Sequence, residues 1–327
     1  VKVSLDDEVV WEEQIEATGV GERRINYDFS VTELVARLVE KGKGEGAEEG
    51  TLKNLPLGFA VKVEAQREED RDKERIKDNN EKPLFVQAVA QKRRVLLIDS
   101  RPRWETRYLH NLFERDEKWD VNVLMRMAES AEDPAPWGYG TEPGEFPDSQ
   151  EELFSYEVVI LGDVPRKWFT EEEVEWLADF AGERAGGLVF IDGTRGHLRS
   201  FLGTPVGDIL PVNWFDDGKE EIPVNLVLAP AGEVLNPLRF VPASEENAKV
   251  WESLRAPHWV AKTLTMPGAE VLVEAEMRIG TRMPVMVWRR FGAGKVFYAA
   301  SDQVWRWRYD VADRYHQRFW MQMVNWV

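Results

Sequence analysis

The chain has 327 residues, with 59 acidic against 42 basic side chains and a formal net charge of −17. That balance speaks against nucleic acid, whose phosphates are held by clustered Lys and Arg. Cysteine is absent, which removes disulfides, thiolate metal sites and thiol nucleophiles together. No run approaches the roughly 18 apolar residues of a membrane helix, so this segment is not expected to insert into a membrane.

The length favours two domains. Val1 opens directly on a strand pattern and Trp326-Val327 closes inside a helical one, as expected of cuts in a longer protein. Residues 1 to about 92 carry the alternating runs VKVSL, EVVWEEQIEA, RINYDFSV, GFAVKVEAQ and PLFVQAVAQ, the mark of half-buried antiparallel strands, so a small β-sandwich is expected. Within it, Val31, Leu34, Val35, Leu38 and Val39 recur at helical spacing and run into the acidic loop GKGEGAEEG.

From Arg94 the pattern becomes strand, helix, strand. VLLID is followed by a helix with Trp104, Tyr108, Leu109, Leu112 and Phe113 on one face, then by the strand DVNVLM and a Pro/Gly-rich loop over 133–147. After VVILGD, Thr170 and Glu173 form a capping box ahead of the apolar stripe Val174, Leu177 and Phe180. LVFID follows Gly186-Gly187; further on, PVMVWRR and KVFYAAS meet in a hairpin at Phe291-Gly292-Ala293-Gly294. A closing helix is expected from Asp310, with Val311, Tyr315, Phe319, Met323 and Trp326 on one face.

Four of these apolar runs end on the same residue type, at Asp99, Asp163, Asp192 and Asp302. Unbroken apolar strands belong to parallel sheets covered on both faces, whose ligands bind at the strand carboxyl ends, so the four carboxylates are expected to share one rim. Such a cluster can hold Mg²⁺ or act as acid and base. Equally, Asp caps the helix or turn that follows a strand. Arg101, Arg103 and Arg107 follow Asp99, Arg195 follows Asp192 and Arg306 follows Asp302. The rim is therefore either a salt-bridge lattice or a polar recognition site. A phospho-accepting receiver is not supported, because a single acid follows the first strand and Ala299-Ala300-Ser301 lacks the lysine.

Trp305-Arg306-Trp307-Arg308-Tyr309, with Arg314, Tyr315, Arg318 and Trp320, forms a second candidate. Trp and Arg planes could grip a sugar, a peptide or an anionic group; alternatively the tryptophans anchor the last helix while the arginines pair with Asp302, Asp310 and Asp313. Gly292-Ala293-Gly294-Lys295 lies between two strands and is a turn, not a phosphate loop. The acids between Glu68 and Glu81 lack EF-hand spacing, and His110, His197, His258 and His316 lack metal spacing.

Ile191-Asp192-Gly193-Thr194-Arg195-Gly196-His197 reads as a sharp strand-to-helix turn of the nucleophile-elbow kind. This DGTRGH elbow, the strand alternation from Arg94, the segment DILPV and the ending SDQVWRWRYDVADRYHQRFW resemble the class I glutamine amidotransferase-like domains of bacterial membrane-anchored, von Willebrand A-associated proteins. The resemblance implies an α/β fold over residues 93–327, a flavodoxin-like parallel sheet with helices on both faces, preceded over 1–92 by an immunoglobulin-like all-β sandwich. It also implies an extracytoplasmic location. In active relatives the elbow carries a cysteine, which falls here on Thr194, and the family's paired His and Glu find no match, since His258 is followed by Trp259 and Val260. A hydroxyl there would need a dedicated base.

The function expected is a non-catalytic binding or scaffolding segment of a bacterial envelope protein, without a cofactor. Asp99, Arg103, Asp163, Asp192, Arg195, Asp302 and Arg306 form its ligand surface, and a protein or another domain of the parent chain is its partner. The alternative is a metal-assisted or acid–base hydrolase using the four aspartates with a divalent ion. A third possibility is that the rim is buried by packing within the parent protein.

Overall fold

The computed structural model describes residues 1–5, 8–14, 55–64, 80–88, 92–126, 135–215, 223–278, 280–309 and 313–327. The chain divides into two compact units, Val1–Gln91 and Lys92–Val327. In the first, β1 (Lys2–Leu5), β2 (Glu8–Glu12), β3 (Leu55–Lys62) and β4 (Glu81–Ala88) form one antiparallel sheet in the order β2-β1-β3-β4. Alternation brings Val3, Leu5, Leu57 and Phe59 into one buried cluster. The second layer that a sandwich needs is not among the described residues. The strand expected at 24–31, the helix at 31–41, the acidic loop at 42–50 and the acids at 68–79 lie outside them.

The second unit is mixed α/β. Its strands are β5 (Arg93–Asp99), β6 (Trp119–Arg126), β7 (Trp137–Tyr139), β8 (Glu142–Pro143), β9 (Val158–Leu161), β10 (Gly187–Ile191), β11 (Val212–Trp214), β12 (Pro223–Leu228), β13 (Thr263–Thr265), β14 (Ala269–Met277), β15 (Arg282–Phe291) and β16 (Gly294–Ala299). Ten of them form one sheet in the order β12-β14-β15-β16-β10-β9-β5-β6-β7-β8, while β11 and β13 pair separately. The central five, β6, β5, β9, β10 and β16, run parallel. β9 and β10 are buried throughout, which accounts for their unbroken apolar sequences.

The sheet is therefore not purely parallel. Antiparallel strands extend it at both edges, β7 and β8 on one side and β15, β14 and β12 on the other. The pivot is the hairpin at Phe291–Gly294, where Gly292 takes φ +56°. A β-carbon there would meet the Gly182 carbonyl oxygen at 2.1 Å, so glycine is required twice over. The Pro/Gly-rich stretch from 135 is likewise not all loop, because β7 pairs with the end of β6.

Helix α1 (Trp104–Glu114) buries Glu105, Thr106, Leu109, Leu112 and Phe113, while Trp104 is exposed. The apolar face expected there is thus rotated by one residue, since the 3.6 period that aligns Leu109 with Leu112 and Phe113 carries Glu105 inward. After the short α2 (Gln150–Phe154), α3 (Glu171–Gly182) starts with the complete Thr170/Glu173 capping box and buries Val174, Leu177 and Phe180. Three short helices follow, α4 (Pro205–Ile209), α5 (Pro230–Val234) and α6 (Ser244–Ser253). The closing helix α7 spans His316–Trp326, beginning later than the sequence suggests, and buries His316, Phe319, Trp320, Met323 and Val324. Removing the capping hydroxyl by Thr170→Ala should lower stability by about 1 kcal/mol, measured as a shift in urea denaturation.

Candidate functional site at the strand carboxyl ends

The loops after β5, β9, β10 and β16 bring the four aspartates to one edge, and three of them, Asp99, Asp163 and Asp192, are each 1% exposed. Arg103, at the N-cap of α1 and itself buried, joins them. Its Nε donates to Asp99 Oδ2 at 2.8 Å, and its Nη2 lies 2.8 Å from the same oxygen. Nη1 reaches the Asp192 carbonyl at 3.0 Å and Asp302 Oδ2 at 3.1 Å, and Nη2 also reaches the Ile191 carbonyl at 3.3 Å. One guanidinium thus ties the ends of β5, β10 and β16 together. Burial lowers its proton affinity, but the charges of Asp99 and Asp302 and the hydrogen bond to Asp99 outweigh this and raise it.

The other carboxylate oxygens are similarly engaged. Asp99 also accepts from Ser100 N at 2.7 Å and from the Thr106 hydroxyl. Asp163 accepts from the backbone amides of Arg195 and His197 at 2.9 and 2.6 Å, capping the 3₁₀ turn His197–Phe201 from a neighbouring strand. Asp192 accepts from Gly193 N at 2.8 Å, Tyr298 Oη at 2.7 Å and Trp214 Nε1 at 2.8 Å. Burial nevertheless pushes the Asp192 carboxyl up against those three hydrogen bonds, and it raises that of Asp302 against the pull of Arg103. The Tyr298 phenol, buried beside Asp192, is held well above its ordinary range.

Space is as closely allocated as charge. A β-carbon on Gly162 would come within 2.5 Å of Arg103 Nη2 and the Asp99 carboxyl, and one on Gly193 within 2.3 Å of Asp163. Glycine at these two strand ends is what lets the network close.

The remaining candidates divide. Arg195 joins through its backbone amide while its side chain is exposed. Thr194 Oγ1 accepts from Arg101 Nη2 at 3.0 Å, and no carboxylate or histidine is hydrogen-bonded to it among the described residues. Arg306 does not pair with Asp302; its Nη1 lies against the His258 imidazole, 2.7 Å from Nδ1. Trp307 and Trp320 are buried among aromatic rings, whereas Trp305 and Tyr309 are not. Among the described residues no three His, Cys, Asp or Glu side chains are grouped to hold a metal ion.

Glu105, Tyr298, Trp214, Thr106, Gly162 and Gly193 were not evident as participants. Glu105 is fully buried and accepts from Trp305 N at 2.8 Å, Trp320 Nε1 at 2.7 Å and His316 Nε2 at 3.0 Å, joining α1 to α7. Its sequence signal was the helical spacing it shares with Leu109 and Leu112.

No family model matches the chain, and no curated protein matches it. Among solved structures the chain is similar to the cytoplasmic protein STM1381 from Salmonella typhimurium LT2, at 15% identity over 72% of this chain and 99% of that one, with TM-score 0.47. It is similar to the mmIFT52 N-terminal domain at 12% identity over 71% of this chain and 96% of that one, TM-score 0.41. A β-galactosidase from Bacillus circulans sp. alkalophilus matches at 15% identity over 71% of this chain and 30% of that one, TM-score 0.38. Likenesses this distant say nothing about activity.

The resemblance to class I glutamine amidotransferases is corrected by these findings. No family model and no curated protein supports it, and the elbow position holds a threonine bonded to an arginine. The extracytoplasmic, membrane-anchored location falls with it. It rested on that resemblance alone; among the described residues no helix is long and apolar enough to cross a membrane.

Two outcomes follow. Arg103→Met leaves Asp99 and Asp302 uncompensated and should cost about 3–5 kcal/mol in urea denaturation. Asp302 holds its proton to higher pH when folded than the roughly 3.9 of an unfolded Asp. Its contribution to stability is therefore complete below that value and is lost as pH rises through the elevated folded value. Denaturation curves from pH 4 upward should show the parent losing stability relative to Asp302→Asn.

Proposed function

We propose that the Lys92–Val327 unit is a non-catalytic binding or scaffolding module whose partner is a protein or another domain of the same parent chain. The observation that carries this reading is the consumption of the strand-end carboxylates by internal partners, chiefly Arg103, at the edge where such a sheet would place its chemistry. A hydrolase would need carboxylates open to water or a hydroxyl beside a base. Asp99, Asp163 and Asp192 are sealed, and the Thr194 hydroxyl faces a guanidinium instead. Of the seven residues expected to form a ligand surface, Arg195 has an exposed side chain and Arg306 a partly exposed one, and these are the groups offered to a partner. The buried Asp99, Arg103, Asp163 and Asp192, with the mostly buried Asp302, hold the loops that present them.

The finer fold reading is consistent with this. Numbered along the chain, β5, β6, β9, β10 and β16 lie in the order 2-1-3-4-5, which supports a flavodoxin-like arrangement. α1 and α7 share the Glu105 hydrogen bonds, and α2 and α3 share the Phe154–Phe180 contact. Right-handed crossovers would set these two pairs on opposite faces of the sheet. The alternating strands of Val1–Gln91 support an immunoglobulin-like β-domain ahead of it.

The test is hydrolysis of p-nitrophenyl acetate and of glutamine by the whole chain and by Thr194→Ala. The expected result is a background rate identical in both proteins; turnover by the parent that Thr194→Ala abolishes would overturn the proposal.

A further inference from the structure

The chain leaves β5 through α1 to reach β6 on one side, and leaves β9 through α3 to reach β10 on the other, so its connections diverge between β5 and β9. In open α/β sheets the crevice that takes ligands lies at such a divergence, outside the strand carboxyl ends. Two loops meet over it. Asp163, after β9, accepts from the amides of Arg195 and His197 and so draws the turn after β10 across the end of β9. From that turn Thr194 Oγ1 accepts from Arg101 Nη2, at 3.0 Å, in the loop after β5.

These two loops carry three arginines, Arg101, Arg195 and Arg199. Arg195 is exposed and the other two are half-buried. Arg199 lies back over the turn, since a β-carbon on Gly196, which takes φ +63°, would stand 3.7 Å from its Nε. Apart from the bond to Thr194, none of the three guanidiniums has a hydrogen-bond or ion-pair partner among the described residues. The acids beneath them are already engaged, Asp99 by Arg103, Asp163 by two amides, and Asp192 by the Gly193 amide, the Tyr298 hydroxyl and the Trp214 indole. Arg101 Nε and Arg199 Nε are buried without a partner, as is the hydroxyl of Ser100, a residue 9% exposed that adjoins Arg101. Buried polar groups ordinarily find one, so these three call for an acceptor from outside the chain.

We infer that Arg101, Arg195 and Arg199, gathered around Thr194 at this crevice, bind a phosphate monoester. This inference rests on the binding-module reading above and names the group that the module recognises. Guanidinium forks match the oxygens of phosphate and carboxylate groups. Three forks arriving from two loops suit a tetrahedral dianion with three free oxygens better than a planar carboxylate with two. On a chain of net charge −17 the three form a local reversal of sign, which takes a single phosphate while the remaining surface opposes a long polyanion. A free small ester and a phosphorylated side chain of a partner protein present the same group, and the test separates them.

The test is calorimetric titration of the whole chain with methyl phosphate, with a phosphoserine pentapeptide, with the same peptide unphosphorylated and with acetate. The two phosphate compounds are expected to bind, and the other two are not. Tighter binding of the phosphopeptide than of methyl phosphate assigns the group to a partner protein; equal or weaker binding assigns it to a free ester. Arg101→Gln and Arg195→Gln should each weaken methyl phosphate about tenfold, as the loss of a charge-assisted hydrogen bond does. Arg195 is exposed, so its variant should keep the parent's denaturation curve. Arg290→Gln, beside Lys295 at the opposite end of the sheet, should leave the affinity unchanged. No binding of either phosphate compound, affinity indifferent to both Arg101→Gln and Arg195→Gln, an equal loss in Arg290→Gln, or acetate bound as tightly as methyl phosphate would overturn the inference. Those results leave the non-catalytic reading standing, whereas Thr194-dependent turnover would remove that reading whatever the phosphate titrations show.

Discussion

The second unit depends on one buried cation. Arg103 leaves the N-cap of α1 and distributes its donors among the Asp99 and Asp302 carboxylates and the carbonyls of Ile191 and Asp192. Its planar fork can serve several acceptors at once without losing its charge, which a lysine could not do. Burial of such a group is unfavourable alone, and it is tolerated here because two carboxylates and two carbonyls compensate it. The neighbouring chain must then make room, and Gly162 and Gly193 do so. The arrangement fixes where the loops after β5, β10 and β16 lie relative to one another.

From that constraint the other features follow. Asp163 holds the turn after β10 through the amides of Arg195 and His197, and Asp192 holds the pair Tyr298 and Trp214 against the same edge. Glu105, the second residue of the helix that Arg103 caps, fastens α7 and the segment carrying Trp305. The polar interior thus braces α7 and the segment that carries Trp305. Trp305 is held by its backbone amide and is half-buried. A rigid frame of this kind limits the ordering cost of binding.

Much of the fold was legible in the sequence for simple reasons. Unbroken apolar runs identified β5, β9 and β10, because strands buried on both faces have no polar positions to alternate. The capping box at Thr170 and the two-residue turn at Gly292 were readable because each depends on local chemistry. What was not legible was long-range. That β16 pairs in parallel with β10 and antiparallel with β15 depends on sheet assembly, not on its own residues. The aspartates were recognised, but their partners were not, because Tyr298 and Trp214 lie 106 and 22 residues from Asp192 in the chain. Trp104 read as a core position because it neighbours a real apolar stripe by one residue, and an α-helix turns by about 100° per residue.

The most direct measurement is solvent exchange of the Arg103 Nε–H by nitrogen-resolved NMR of the whole chain, with and without Mg²⁺. If Arg103 is the buried tie between Asp99 and Asp302, its Nε–H exchanges far more slowly than that of an exposed arginine such as Arg195, and its resonance is unmoved by Mg²⁺. Exchange as fast as that of Arg195, or a shift on adding Mg²⁺, would mean that the strand-end carboxylates are open to water and ions and would contradict the account.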